Sequence, residues 1–329
     1  NRVFGRHEEI IDIADFFVNA GLDEAAVKAL ERYEVRPPAA RRMGTSNPLP
    51  YYYHGILAGS AERLDRAAVM NPDFLFPSTR TAMRILEEVA KMRPNDWKSR
   101  FGLGNFYMSK FRKDDAIRIW NEALPAGDSY SVLHRNLGLA AWIITGNTWQ
   151  AIWHYENAAR ASSDNIGVIR DLGSLYTSVG QHTKARDLLE KAVAKKCRRA
   201  DVVSLLGRAY LKLGEEDKAI ALLHADTYSN WEGQGTLYAL YTDIRVAKGE
   251  KLLAAGDAAG ALKEFTASFT YPKNLGSGFI EDTSLSMSWY WIGMAQEKLG
   301  NSKEAIAAWE TAAKGAEKGD ARNQTFAQK

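Results

Sequence analysis

Residues 172–192 read LGSLYTSVGQHTKARDLLEKA. Leu172-Gly173, Tyr176, Gly180, Ala185, Leu189 and Ala192 make up a phrase that returns along the chain. It recurs as Leu206-Gly207, Tyr210, Gly214, Ala219 and Leu223, and earlier as Leu103-Gly104, Tyr107, Ala116, Trp120 and Ala123. A late copy is Ile292-Gly293, Gly300, Ala305, Trp309 and Ala312. In these four copies the Gly-to-Ala distance is 12 residues. A fifth copy, Leu137-Gly138, Gly146, Ala151, Tyr155 and Ala158, is one residue longer. Glycines 104, 138, 173 and 207 are 34, 35 and 34 residues apart. The physical sense of the phrase is packing. Small Gly and Ala let two antiparallel helices approach, while the aromatic and Leu positions fill the groove between them and toward the next hairpin. One hairpin cannot bury its own face, so the units must stack.

That period is the length of one tetratricopeptide helix-turn-helix unit. The predicted fold class is therefore all-α, an α-solenoid (superhelix) of tetratricopeptide-like repeats, with almost no β-structure. Residues 1–92 read as N-terminal degenerate helical repeats, 93–226 as regular repeats, 227–313 as C-terminal repeats with two inserted loops, and 314–329 as a frayed tail, all one continuous solenoid. Within the first stretch, Ala14, Phe17, Gly21, Ala26 and Leu30 keep the repeat spacing, so 6–34 should form a helix pair. Pro37, Pro38, Pro48, Pro50, Pro72 and Pro77 then break the pattern, leaving short helices near 50–57 and 60–69. A helix capped by Ser78 or Thr79 should run to Met92. After Gly214 the spacing stretches, because Gly249 stands 42 residues beyond Gly207 and Gly293 another 44 on. Two loops absorb the excess, Tyr228 to Gly235 and Tyr271 to Gly278, and such insertions are where function concentrates.

Composition excludes more than it assigns. Of 329 residues, 46% are hydrophobic and 25% charged, an ordinary globular balance. The net charge of +3 is too small to point to nucleic acid or an anionic membrane. The Lys195-Lys196-Cys197-Arg198-Arg199 run reads as a cationic helix end, without the interleaved aromatics of a base-stacking platform. A lone cysteine, Cys197, cannot build a disulfide framework or a thiolate zinc cluster, and fits a reducing, cytoplasmic setting. Asn1 opens the chain without Met or a basic-then-apolar leader, as expected of a processed protein or an excised portion of one. The apolar stretch Leu137 to Ile144 is far short of a spanning helix. Six histidines form no His-Glu-x-x-His pattern, and phosphate-cradling or nucleophile-elbow glycine motifs are missing. No metal, cofactor or catalytic centre is expected.

The phrases Trp231-Glu232-Gly233 and Tyr271-Pro272-Lys273-Asn274-Leu275-Gly276, with Phe74 to Ser78, Leu103 to Tyr107 and Arg135 to Gly138, carry a resemblance. From about residue 50 to 313 the chain resembles the C-terminal tetratricopeptide region of long bacterial proteins that carry an N-terminal mutarotase-like β-sandwich of unknown function. The family's loop usually reads Trp-Glu-Gly-Gly, whereas Gln234 follows Gly233 here. The resemblance implies the helical portion of a larger protein, often found beside carbohydrate-degrading systems.

Candidate site residues fall into two groups. In tetratricopeptide arrays the first helix of each hairpin lines the groove, which selects Asn105, Arg135, Asn136, Arg170, Asp171 and Arg208, flanked by Phe101 and Trp142. These residues would bind an acidic peptide, a domain of the same polypeptide or sugar hydroxyls, or else pair Arg with Asp between units. In the loops the candidates are Trp231, Glu232, Gly233, Tyr271 and Asn274, which either bind a ligand or plug the solenoid. Glu232, Glu281 and Asp282 are carboxylates placed where acid–base chemistry on a glycoside could be imagined. The reading that emerges is a binding or scaffold module for a protein or peptide partner. Its alternative is the helical portion of a carbohydrate-active or glycan-binding protein.

Overall fold

The computed structural model describes residues 7–34, 47–228, 236–276 and 285–316, and among them every regular element is helical. Contacts divide the chain into two compact units, Asn1–Ser163 and Asp164–Lys329. The first contains α1 (His7–Asn19), α2 (Asp23–Glu34), α3 (Leu49–Leu57), α4 (Ala61–Val69), α5 (Arg80–Met92), α6 (Trp97–Ser109), α7 (Lys113–Gly127), α8 (Ser131–Ile143) and α9 (Thr148–Ala161). The second contains α10 (Ile166–Ser178), α11 (His182–Ala194), α12 (Ala200–Leu213), α13 (Glu216–His224), α14 (Thr236–Ala254), α15 (Ala258–Ala267), α16 (Ser286–Lys298) and α17 (Ser302–Ala316). The proline-rich stretch forms the two short helices α3 and α4, and Thr79 caps α5 by accepting from the Ala82 amide at 3.2 Å.

The recurring phrase becomes a recurring contact. A Cβ added to Gly104 on α6 would stand 2.2 Å from Trp120 on α7, so only glycine admits the indole there. The Trp120 ring nitrogen donates to the Phe101 carbonyl at 3.2 Å, satisfying the one polar atom of a buried side chain. α16 and α17 repeat the arrangement with Gly293, Trp309 and the Tyr290 carbonyl. Gly138 is covered by Tyr155, Gly173 by Leu189 and Gly249 by Phe265. Gly207 differs, for its neighbour is Leu240 of α14. The reason is length: α13 has only nine residues, and α14 packs directly on α12.

Hairpin turns close with a left-handed residue that leaves helix carbonyls satisfied. Most are glycines, but the turn between α6 and α7 uses Phe111, with φ 61° and a side chain 85% exposed. That conformation costs a non-glycine residue about 1–2 kcal/mol.

Buried polar groups tie the irregular N-terminal helices together. Glu34 accepts from His54 at 2.7 Å and from Arg63, joining α2, α3 and α4. The Tyr52 hydroxyl donates to Asp96 at 2.5 Å, and burial together with that carboxylate pushes the phenol well above its ordinary range.

Candidate binding surfaces

Asn105, one residue after Gly104 on α6, and Asn136, two residues before Gly138 on α8, are both half-buried. The Asn136 amide donates to the Asn105 side-chain oxygen at 3.1 Å, and the Asn105 amide donates to the Leu75 carbonyl at 2.9 Å. The two side chains thus form a short ladder that fixes their orientation, which is what an amide needs to recognise a backbone. Arg135 and Trp142, seven residues apart on α8, are also half-buried.

Arg170 and Asp171 on α10 and Arg208 on α12 belong to the second unit. Arg170 donates through Nε to Asp171 at 2.8 Å and reaches Asp201 of α12 at 3.5 Å. Asp171 is 6% exposed, so this pairing is largely shielded from water. Arg199 holds the same Asp201 at 2.7 Å, and the Arg199 and Arg170 guanidiniums keep its carboxyl below the usual range. The Arg–Asp pairing between hairpins is therefore present, and it engages Arg170. Arg208 is exposed, two turns beyond Asp201 on the same helix.

Trp231, Glu232 and Gly233, with Glu281 and Asp282, lie outside the described residues. The other inserted loop is described as far as Gly276, and its residues bond to the protein itself. Both amide hydrogens of Asn274 are engaged, one by the Leu223 carbonyl and one by the Asp226 carbonyl, each at 2.7 Å. The Asn274 carbonyl accepts from the Tyr228 amide at 2.8 Å. Tyr271 packs edge-on against Tyr238 with ring centres 5.1 Å apart, and Leu275 is fully buried. The segment serves as a stopper over the end of α13, whose last carbonyls would otherwise lack donors.

A further surface was not among the sequence-based candidates. α1, α3 and α5 converge around an open cleft of about 270 Å³. Asp15 organises its wall. It accepts from Asn19 at 3.2 Å, Thr81 at 2.9 Å, and Tyr53 and Arg84 at 3.3 Å each. Burial and the Asp15 charge push the Tyr53 phenol up to about 12. Asp15 and Thr81 are 66 residues apart in a stretch broken by prolines, and no local motif announces their meeting. Among the described residues, no group of three His, Cys, Asp or Glu is placed to hold a metal ion, and no helix is long and apolar enough to cross a membrane.

Two models described as tetratricopeptide repeat match the chain, one over residues 177–230 and another over 288–314. The structure of the Naa15/Naa10 complex bound to HypK is similar to 85% of this chain at 14% identity, covering 38% of its own chain, with a TM-score of 0.53. MamA is similar over 58% of this chain and 94% of its own at 21% identity and a TM-score of 0.43. YrrB, described as a TPR protein with an unusual peptide-binding site, is similar over 64% and 97% at 18% identity and a TM-score of 0.42. The chain contains tetratricopeptide repeats, and its fold is an all-α array of them.

Proposed function

We propose that this chain is an interaction scaffold that holds a protein or peptide partner on the first helices of its hairpins. The observation that carries the reading is the Asn136–Asn105–Leu75 ladder, in which each amide is oriented by its neighbour. An oriented amide offers one donor and one acceptor to an extended backbone at little entropic cost. Arg208, exposed in the second unit, suits an acidic partner residue there. Asn105 and Asn136 are half-buried and Arg208 is exposed, so a partner can reach them.

The family resemblance adds a finer proposal. The partner is then a β-sandwich domain of the same polypeptide, in a reducing compartment such as the cytoplasm. No observation favours a glycan, because the Asn274 amide is engaged within the protein.

The test is site-specific photo-crosslinking in cells of the source organism, with the reactive group at position 136 or 208 and at exposed Lys191 as the control. The scaffold reading expects a discrete protein adduct, or an intramolecular one, at 136 or 208 and none at 191. Equal labelling at all three positions would sink it.

A further inference from the structure

The cleft between α1, α3 and α5 has the make-up of a pocket rather than of a packing fault. Ile85 is buried at its base, while Val18, Ile56 and Leu57 are only half-buried and line its open side. The three helices contribute residues at helical spacing, so the apolar surface is one continuous patch. A packing defect would be dry and closed, whereas this cleft is open and has a polar wall. About 270 Å³ is enough for one large aliphatic side chain with its flanking backbone.

The wall determines what else the occupant must carry. Asp15 already accepts four hydrogen bonds, the capacity of a carboxylate, so it positions Tyr53, Thr81 and Arg84 rather than meeting a ligand itself. Glu88 stands one turn beyond Arg84 and Ile85 on α5, and its side chain is 48% exposed. Among the described residues it pairs with Lys91, at 3.8 Å on the same helix, and that lysine is 74% exposed. Asp23, at the start of α2, is a second carboxylate, after Asp15, whose charge acts on Tyr53. The lining thus carries two carboxylates, Asp15 and Glu88, against one guanidinium, Arg84, which is itself held by Asp15. The local potential is negative, and complementarity calls for a cation.

We propose that this cleft binds one large aliphatic side chain of a partner polypeptide, followed by a Lys or Arg that reaches Glu88. The proposal rests on the scaffold reading but assigns a different surface and a definite partner chemistry. The aliphatic group contributes affinity by covering Val18, Ile56 and Leu57. The cation selects the sequence through Glu88 at the rim.

The probe is the peptide acetyl-Gly-Leu-Arg-Gly-amide, titrated into the full chain labelled at isoleucine δ1 methyls and followed by NMR. The expected result is saturable shifts of Ile56 and Ile85, with a Kd on the order of 1 mM for so small a ligand. Replacing the peptide's Leu by Gly should weaken binding about tenfold. Replacing its Arg by Gln, or Glu88→Gln in the protein, should each weaken binding about threefold, with no further loss when the two are combined. Ile56→Trp, which fills the cleft, should abolish the shifts at Ile85. Glu88 is a rim residue, so its variant tests the idea without endangering the fold. Absence of saturable shifts at 10 mM peptide (about ten times the expected Kd), or equal affinity for the Arg and Gln peptides, overturns the proposal. Crosslinking at position 136 distinguishes the two failures. If it persists while the cleft binds nothing, this pocket is wrong and the scaffold reading stands.

Discussion

The side-chain amide of Asn136 donates to the side-chain oxygen of Asn105 at 3.1 Å, so two helices that belong to different hairpins share one polar link. Asn105 passes that link on to the carbonyl of the fully buried Leu75. Asn105→Ala removes both bonds and strands a buried carbonyl, and should cost about 2 kcal/mol in urea unfolding. Asn136→Ala removes one bond and should cost about 1 kcal/mol or less. The reverse order would mean that the ladder does not hold the helices together.

Gly104 and Trp120 give the second prediction. A methyl at Gly104 meets the indole at 2.2 Å, well inside van der Waals contact, so α6 and α7 must separate or the ring must turn. Gly104→Ala should destabilise the first unit by about 1–3 kcal/mol. In the Trp120→Leu background the same substitution should cost at least about 1 kcal/mol less, because the two positions are coupled. Additive losses would show that the glycine is needed for some other reason.

Asn274 closes the end of α13 from 51 and 48 residues away. Asn274→Ala should leave the Leu223 and Asp226 carbonyls without these donors and cost about 2 kcal/mol. Amide hydrogen exchange should rise in the last turn of α13 and at Tyr228, while α10 and α11 keep their protection. Unchanged exchange in α13 would show that the loop does not act as its stopper.

The buried pair His134 and His154 makes stability depend on pH. His134 Nε2 faces the Asp128 carbonyl at 2.9 Å and its carboxylate at 3.1 Å, so this nitrogen carries the proton. His134 Nδ1 then accepts from His154 Nδ1 at 3.2 Å. Burial, and then the neighbouring His134, lower the His154 pKa to about 4. In the unfolded chain the imidazole takes a proton near 6.5, while in the fold it resists until about 4, so the unfolded state binds more protons between those values. Stability should fall as the pH drops through this window, by roughly 2 kcal/mol once residual solvent screening is allowed for. His154→Gln, which keeps a donor toward His134, should flatten that part of the curve. An unaltered pH profile of the urea midpoint in the variant would exclude His154 as its source.

Much of the fold was legible because its contacts are local in repeat coordinates. Gly104 meets Trp120 and Gly293 meets Trp309 at the same separation, so the pattern that shapes each hairpin is written within one unit. The candidate surfaces were legible only in part. Asn105 and Asn136 could be placed on the first helices of neighbouring hairpins, and the structure joins them by a hydrogen bond. Asn274 stood out as an amide in an insertion, yet nothing in its neighbourhood says that both its hydrogens reach α13. The Asp15 cleft escaped notice because its wall is gathered from three helices separated by irregular, proline-rich chain.

By itself, then, the sequence determined the hairpin: where helices start, which glycine admits which aromatic, and that such units must stack to bury their faces. These follow from side-chain volume and helical period, which act over a few turns. Tertiary structure alone decided which polar side chains are consumed by the protein and which remain to meet a partner. Arg170 is engaged by Asp171 and Asp201, Asn274 by α13, and Asp15 by four donors, while Glu88 stands half-exposed at the rim of a cleft. Hydrogen bonds and ion pairs of this kind act only within a few ångströms, so their partners are fixed only once distant segments have been brought together.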